Sequence, residues 1–227
     1  MKRILHFIVP LFIVGMVVWV MTAQAEETPQ KIKVLVFTGG HDFEPSFYTI
    51  FDHPDMEYTK VEHPKANAVF ADGTAQKYDV IVLYDLWQDI TDEQKQGFLA
   101  YLKSGKGLVS LHHSIANYQD WPEYLNITGT SYILDAKGKT IQGKEFPQSK
   151  YQHDVWMDIA IADANHPITQ GLGNFKIMDE AYNDYYVSPN AHMLLTTDNP
   201  LNEKSIAWTM NYENNEVVFI QLGHDKK

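Results

Sequence analysis

The stretch Gly107-Leu108-Val109-Ser110-Leu111-His112-His113-Ser114 constrains the fold more than any other part of the chain. An apolar run follows a Lys-Ser-Gly-Lys-Gly turn and ends abruptly in two histidines and a serine. A helical pattern precedes the turn. Thr91, with Gln94 three residues on, makes a capping box; Phe98, Leu99 and Leu102 share one face; Gly105 stops the helix after Lys103. Before that helix lies a second near-continuous apolar run, residues 78–85 (YDVIVLYD). Such runs, alternating with amphipathic helices, mark parallel strands buried on both faces. Open α/β sheets bind ligands just beyond the carboxyl ends of these strands. His112 and His113 fall at that place; the plainer reading of either one is a side chain that closes the strand by bonding a loop carbonyl.

The rest of the chain extends the pattern. Residues 31–37 (KIKVLVF) predict a first strand, with Thr38-Gly39-Gly40-His41-Asp42-Phe43-Glu44 as the loop at its tip. A short helix over 45–51 begins with proline, which suits a first turn. A second strand over 56–63 and a loop over 65–77 with an Asp72-Gly73 turn follow. Further on come a short helix at 121–125, a polar loop over 135–150, an alternating and therefore antiparallel strand over 151–161, and a short strand over 193–197. Residues 205–212 and 216–222 form a hairpin around Asn214-Asn215. With no internal repeat and no linker, residues 26–227 read as one α/β domain with a doubly wound, mostly parallel sheet.

Charge narrows the ligand. Lys2 and Arg3, the apolar run 4–21 and Ala23-Gln24-Ala25 have the form of a secretory signal cut after Ala25. That places the protein in the periplasm or outside the cell; an uncleaved membrane anchor is the alternative. Loss of Lys2 and Arg3 takes the 18 basic residues to 16 against 29 acidic ones, moving the formal charge from −11 to −13. Arg3 is the only arginine. Phosphates and carboxylates are bound chiefly by cationic side chains, arginine above all. Nucleic acids, nucleotides and acidic sugars are therefore poor ligands, and neutral molecules or metal cations better ones. No nucleotide cofactor is expected, because no G-x-G-x-x-G opens a helix. The chain has no cysteine, which excludes a thiol nucleophile and suits an exported bacterial protein that needs no disulfide.

Three predicted strand tips end alike: Gly39-Gly40-His41-Asp42, Leu111-His112-His113-Ser114 and Leu222-Gly223-His224-Asp225. Parallel strands would deliver them to one edge of the sheet, with Asp42, Glu180 and Asp225 nearby. Imidazole plus carboxylate suits a divalent zinc, manganese or iron ion, with His41, His112 and His224 as ligands. It equally suits metal-free acid–base work by His112, His113 and Glu180, with Tyr182 as a hydrogen-bond donor. The Gly39-Gly40 amides, Asp42 and Trp87 are candidate substrate contacts; a plain tight turn is the other reading of the glycines. Asp179 reads as part of a solvated acidic loop, His166 as a turn cap, and His153 could face either side of its strand. Tyr118, Trp121 and Trp156 are sugar-stacking or core residues. His53, His63 and His192 carry no assignment. Ser110 or Ser114 could serve a non-thiol hydrolase, but no G-x-S-x-G elbow is present.

The segments VLVFTGGHDFE, GKGLVSLHHSI, ANHPITQGL, FKIMDEAY and VVFIQLGHD occur in that order over nearly all of residues 31–225. Together they resemble the trehalose-utilisation (ThuA-like) family. The resemblance implies a flavodoxin-like three-layer sandwich of the class I glutamine amidotransferase type, without its catalytic triad. The amidotransferase nucleophile elbow would correspond to the Leu111-His112-His113 turn, where no cysteine stands. It also implies bacterial carbohydrate utilisation, namely metabolism of 3-keto-glycosides made by a partner sugar oxidoreductase, with His41, His112, His113, Glu180 and His224 as the site. Family members usually continue past the LGHD segment into a final helix, whereas this chain stops at Lys227; it is either truncated or lacks that helix. The expected function is a lyase or hydrolase acting on neutral oxidised sugars by acid–base chemistry, with or without a metal. The alternative is a non-catalytic sugar-binding or accessory module.

Overall fold

The computed structural model describes residues 30–224; the leader expected over residues 1–25 and Asp225 lie outside them. No helix among the described residues is long and apolar enough to cross a membrane. Nine strands form one mixed sheet. In chain order they are β1 (Ile32–Gly39), β2 (Met56–Glu62), β3 (Val80–Asp85), β4 (Gly107–Leu111) and β5 (Lys150–Ile161). The others are β6 (Phe175–Asn183), β7 (His192–Thr197), β8 (Ser205–Tyr212) and β9 (Asn215–Ile220). Across the sheet the order is β2-β1-β3-β4-β9-β8-β7-β5-β6. The first five run parallel. Every later neighbour pair is antiparallel. The parallel half is as expected, but it shares the sheet with an antiparallel half of equal weight.

Counting the reversals from β9 outward, β6 points the same way as the parallel strands. Its carboxyl-terminal half, carrying Glu180 and Tyr182, therefore faces the same rim as the tips of β1, β4 and β9. The β5–β6 hairpin carries a bulge, a register shift between Gln152 and Val155 with Asp154 at φ 57. A bulge bends its strand and switches which residues face inward. Tyr151 and His153 thus line a cavity at the rim, whereas Val155, Met157 and Ile159 enter the core.

One face of the parallel strands carries the main core. Leu35, Phe37, Ile81, Leu83, Leu108 and Phe219 pack there against Phe98, Tyr101 and Leu102 of α2 (Asp92–Lys103). Val34, Val36 and Val82 point to the other face and are covered by the 3₁₀ turn Pro45–Phe51 through Phe51. The sandwich is thus thick on one side and thin on the other. Residues 65–77, read as a loop, contain a short helix, α1 (Ala68–Ala71), and a 3₁₀ turn, Thr74–Lys77. Tertiary packing decided this: the Phe70 ring sits 4.5 Å from Phe98. A Cβ on Gly97 of α2 would come within 2.1 Å of the Phe70 carbonyl, so only glycine allows the approach. The polar loop over 135–150 likewise holds a small hairpin, Lys139–Ile141 with Lys144–Phe146.

The capping box of α2 is formed as expected. Thr91 Oγ1 accepts from Gln94 N at 3.3 Å, and Gln94 Oε1 accepts from Thr91 N at 2.9 Å. Thr91→Ala should cost about 1 kcal/mol of stability, the usual worth of an N-cap, and urea denaturation would show it as a lowered midpoint with an unchanged slope.

Candidate functional site

β4 ends at Leu111, and the chain turns into a 3₁₀ segment, His112–Ala116. His112 occupies the corner with φ 48 and is fully buried. A non-glycine residue in this region is strained backbone, kept there by its surroundings. One such restraint is visible: the Gln221 carbonyl, just beyond β9, accepts a hydrogen bond from His112 Nδ1. That bond fixes the tautomer and leaves Nε2 facing the rim.

Glu180 Oε2 is the hub of the cluster. His112 Nε2 lies 3.2 Å from it, His113 Nε2 3.4 Å and His224 Nδ1 3.3 Å. His112 Nε2 and His224 Nδ1 are 3.2 Å apart. The Tyr182 hydroxyl donates to Glu180 Oε2 at 2.7 Å and lies 3.0 Å from His112 Nε2. Glu180 Oε1 lies 3.4 Å from His153 Nδ1. Burial pushes the Glu180 carboxyl upward, but His112, His113 and Tyr182 outweigh it and hold the group well below the usual carboxylate range. Burial, with repulsion from His112 and against the pull of Glu180, lowers His113. Burial and the Glu180 charge raise Tyr182 well above an ordinary phenol, so its hydroxyl remains a donor.

A buried polar network holds these groups from behind. The Asp179 carboxylate accepts the backbone N–H groups of Glu180 at 2.7 Å, Gly223 at 2.7 Å and His224 at 3.1 Å. The Tyr84 hydroxyl donates to the Gly223 carbonyl at 2.7 Å. Gln221 Nε2 donates to the Glu180 carbonyl at 3.2 Å and to Asn202 Oδ1 at 2.7 Å. Its Oε1 accepts from Tyr185 at 3.2 Å and Asn202 Nδ2 at 3.1 Å.

The donor set suits a metal ion. Among the described residues, one ligand atom from each of His112, His113, Glu180 and His224 lies within 4.8 Å of all the others. Four of the separations are 3.2–3.4 Å. That matches the edge of a tetrahedron whose bonds are about 2.0–2.1 Å long, the length of zinc–imidazole and zinc–carboxylate bonds. The His112 Nδ1 bond to a carbonyl is the outer-shell contact that ligating histidines normally make.

Beside the cluster opens a cavity of about 450 Å³, with Trp87, His113, Tyr132, Tyr151, His153 and Glu180 in its wall. A larger groove of about 630 Å³ near Asp158, Phe175 and Thr197 has no histidine or glutamate in its wall.

The structure brings together His112, His113, Glu180, Tyr182 and His224, and places Trp87 on the cavity wall, 63 % exposed. His41 is close, its ring 4.4 Å from that of His113. Its nitrogens, however, lie 3.1 Å from the Asp42 carbonyl and 3.2 Å from the Tyr84 carbonyl. The four-atom group therefore contains His113 and Glu180 where the sequence suggested His41, a correction to the expected ligand set. The reason is the course of the first loop, which turns toward β3. Gly39 O accepts from Leu86 N at 3.0 Å, and a Cβ on Gly40 would meet the Leu86 carbonyl at 2.1 Å. Gly39, Gly40 and the exposed Asp42 stand outside the cavity wall, and the glycines serve close backbone approach.

Asp179 is buried rather than solvated. His153, left undecided by the sequence, joins Glu180 because of the bulge in β5. Asp179, Asn202, Tyr185 and Gln221 are the supporting residues that sequence reasoning missed; Gln221, polar at the end of an apolar strand, carried a signal. Tyr118 and Trp121 lie in the core and Trp156 is exposed. His166 Nδ1 accepts from Ile168 N at 3.3 Å, as a turn cap does. His63 pairs with buried Asp85 at 2.7 Å. Ser110 and Ser114 are buried and hydrogen-bonded to each other at 2.7 Å.

Known proteins place the chain. No curated protein matches it. Its fold is similar to that of a ThuA-like protein from Parabacteroides merdae, at 20% identity and a TM-score of 0.69 over 86% of this chain and 80% of that one. A ThuA-like protein from Bacteroides uniformis is similar at 17% identity and a TM-score of 0.63, over 89% of this chain and 86% of that one. A cytoplasmic protein from Salmonella typhimurium follows at 14% identity and a TM-score of 0.55, over 82% and 86%. Likeness at these identities speaks to the fold alone, and it is the α/β fold expected from the resemblance. Residues 33–227 match the family described as trehalose utilisation. The chain belongs to the trehalose-utilisation (ThuA) family.

Proposed function

We propose that the protein is an exported carbohydrate-metabolism enzyme that cleaves neutral 3-keto-glycosides by acid–base chemistry at the His/Glu cluster. One observation carries this reading: Glu180, shared by four histidine nitrogens within 3.4 Å, opens onto a cavity whose wall contains no lysine or arginine. Such a wall suits an uncharged sugar. The leader-like first 25 residues support a periplasmic or secreted location, and a sugar oxidoreductase would supply the keto substrate.

A 3-keto group acidifies the neighbouring C2–H. His153, on the cavity wall with its side chain 52% exposed, would take that proton. The C1–O bond then breaks as the C1=C2 double bond forms, and the same imidazole returns the proton to the leaving oxygen. Tyr182, kept protonated, donates to Glu180 Oε2 and so orients that carboxylate at the polar end of the cavity. His112, His113, Glu180 and His224 would hold a divalent ion of the zinc, manganese or iron class. With four protein donors around it, such an ion would supply positive charge beside the developing enolate.

The test is elemental analysis of the purified protein together with a turnover assay on 3-keto-glucosides, with and without chelator. The expected result is one transition metal per chain, release of the aglycone, and loss of that release on chelation with recovery on adding metal back. No release from any 3-keto-glucoside by metal-loaded protein would overturn the proposal.

A further inference from the structure

The cavity beside the cluster is walled unevenly. Glu180, Tyr182, His113 and His153 form its polar end. The remainder is Leu86, Ile115, Ala116 and Leu134 with the rings of Trp87, Tyr132 and Tyr151; its polar side chains are Gln148, Ser149 and the two tyrosine hydroxyls. Gln148 and Ser149 are already engaged. Gln148 Nε2 donates to the Leu134 carbonyl at 3.0 Å. Ser149 Oγ donates to the Asp184 carbonyl at 3.0 Å and accepts from Ile133 N at 2.8 Å. A second sugar ring in this part would set most of its hydroxyls against aliphatic and aromatic surface.

Two large rings stand exposed here, Trp87 at 63% and Tyr151 at 62%. They come from different elements: Trp87 from the loop after β3, Tyr151 from the start of β5. Trp87 is not an idle loop residue. Its backbone has φ 55, a conformation a tryptophan rarely adopts. Its neighbours pin it there. Leu86 N donates to the Gly39 carbonyl at 3.0 Å, Gln88 N donates to Asn117 Oδ1 at 3.1 Å, and Tyr118 N donates to the Gln88 carbonyl at 3.0 Å. Strain held in place by three separate restraints, with a solvent-exposed indole as the outcome, is what a preformed ligand contact requires.

We infer that this end of the cavity is an aglycone subsite for a flat, apolar group, so that the substrates are aryl glycosides rather than disaccharides. The inference rests on the function proposed above and names the leaving group that function acts on. The sugar lies at the polar end over the cluster. The aryl group lies against Trp87 and Tyr151, where ring–ring contact is the main attraction on offer.

The test compares kcat/KM for phenyl 3-keto-glucoside, methyl 3-keto-glucoside and 3-keto-trehalose. In parallel, tryptophan fluorescence follows binding of unoxidised phenyl glucoside, methyl glucoside and trehalose. The expected preference for phenyl over the other two is about tenfold or more, and Trp87→Ala and Tyr151→Ala should each reduce the phenyl-over-methyl ratio about fivefold, in line with the worth of a ring contact. Equal handling of phenyl, methyl and disaccharide ligands, no binding of any of them, or a ratio indifferent to both substitutions overturns the subsite. Turnover without aryl preference would sink the subsite and leave the enzyme reading intact. Aryl-selective binding without turnover of any 3-keto-sugar would do the reverse.

Discussion

Glu180→Ala should lower turnover of a 3-keto-glycoside by about 10³-fold, the scale on which acid–base and electrostatic groups act, and leave the purified protein nearly free of metal. Glu180 Oε2 is the one atom that touches His112, His113 and His224 at 3.2–3.4 Å. Removing it takes away the only anion of the four-residue group and leaves crowded imidazoles with no common acceptor. Glu180→Gln keeps the shape but not the charge, so it should also lose metal while its circular dichroism stays native. That second variant separates loss of the site from loss of the fold. Full metal content and activity in Glu180→Ala would reduce the cluster to a structural ion-pair network. The same carboxylate sets a pH response. It is held well below its ordinary range and stays ionised through mildly acid pH, so acidification acts on the imidazoles. Protons then compete with the ion for the ring nitrogens, and metal retention should fall as pH drops. Dialysis at stepped pH followed by elemental analysis would follow it.

Asp179→Ala should destabilise the protein by about 2 kcal/mol, because three backbone N–H groups, one buried and two partly buried, lose their acceptor. Those groups belong to Glu180, Gly223 and His224. The carboxylate therefore ties the end of the last strand to the hairpin that carries Glu180. Loosening it should also weaken metal binding by about 10–100-fold, the usual effect of an outer-shell change. Asp179→Asn, which keeps one acceptor oxygen, should fall between the two in both measurements. Urea denaturation reads the stability and a metal titration the affinity. A loss under about 0.5 kcal/mol, the scale of an ordinary surface substitution, would show that the tie is dispensable.

Much of the parallel half of the molecule was legible in the chain. The runs at 31–37, 78–85 and 107–111 became β1, β3 and β4, and Thr91 with Gln94 capped α2. Apolar runs and caps are local, and their physics acts within a few residues. The convergence of His112 and His224 followed from the same pattern, since parallel strands end on one rim. Glu180 was a candidate by type, but its approach was not foreseeable. It comes from the far edge strand of the sheet, whose direction brings it to the rim, and the bulge at His153-Asp154 is what turns His153 toward it. The alternation over 151–161 gives no warning of that switch. Asp179 was misread for a related reason: its acceptors are filled by backbone groups more than 40 residues away.

The chain alone determined that β-strands would alternate with helices, that three histidine-bearing tips would face one way, and that neither a thiol nor an arginine beyond Arg3 would take part. Only the tertiary structure decided that His113 and Glu180 complete the donor set in place of His41, and that an exposed tryptophan and tyrosine guard the cavity. The physical reason is range. Periodicity, turn chemistry and charge composition act along the chain, whereas ligand sets and cavity walls depend on bulges, loop courses and buried carbonyls from segments that meet only when the sheet is assembled.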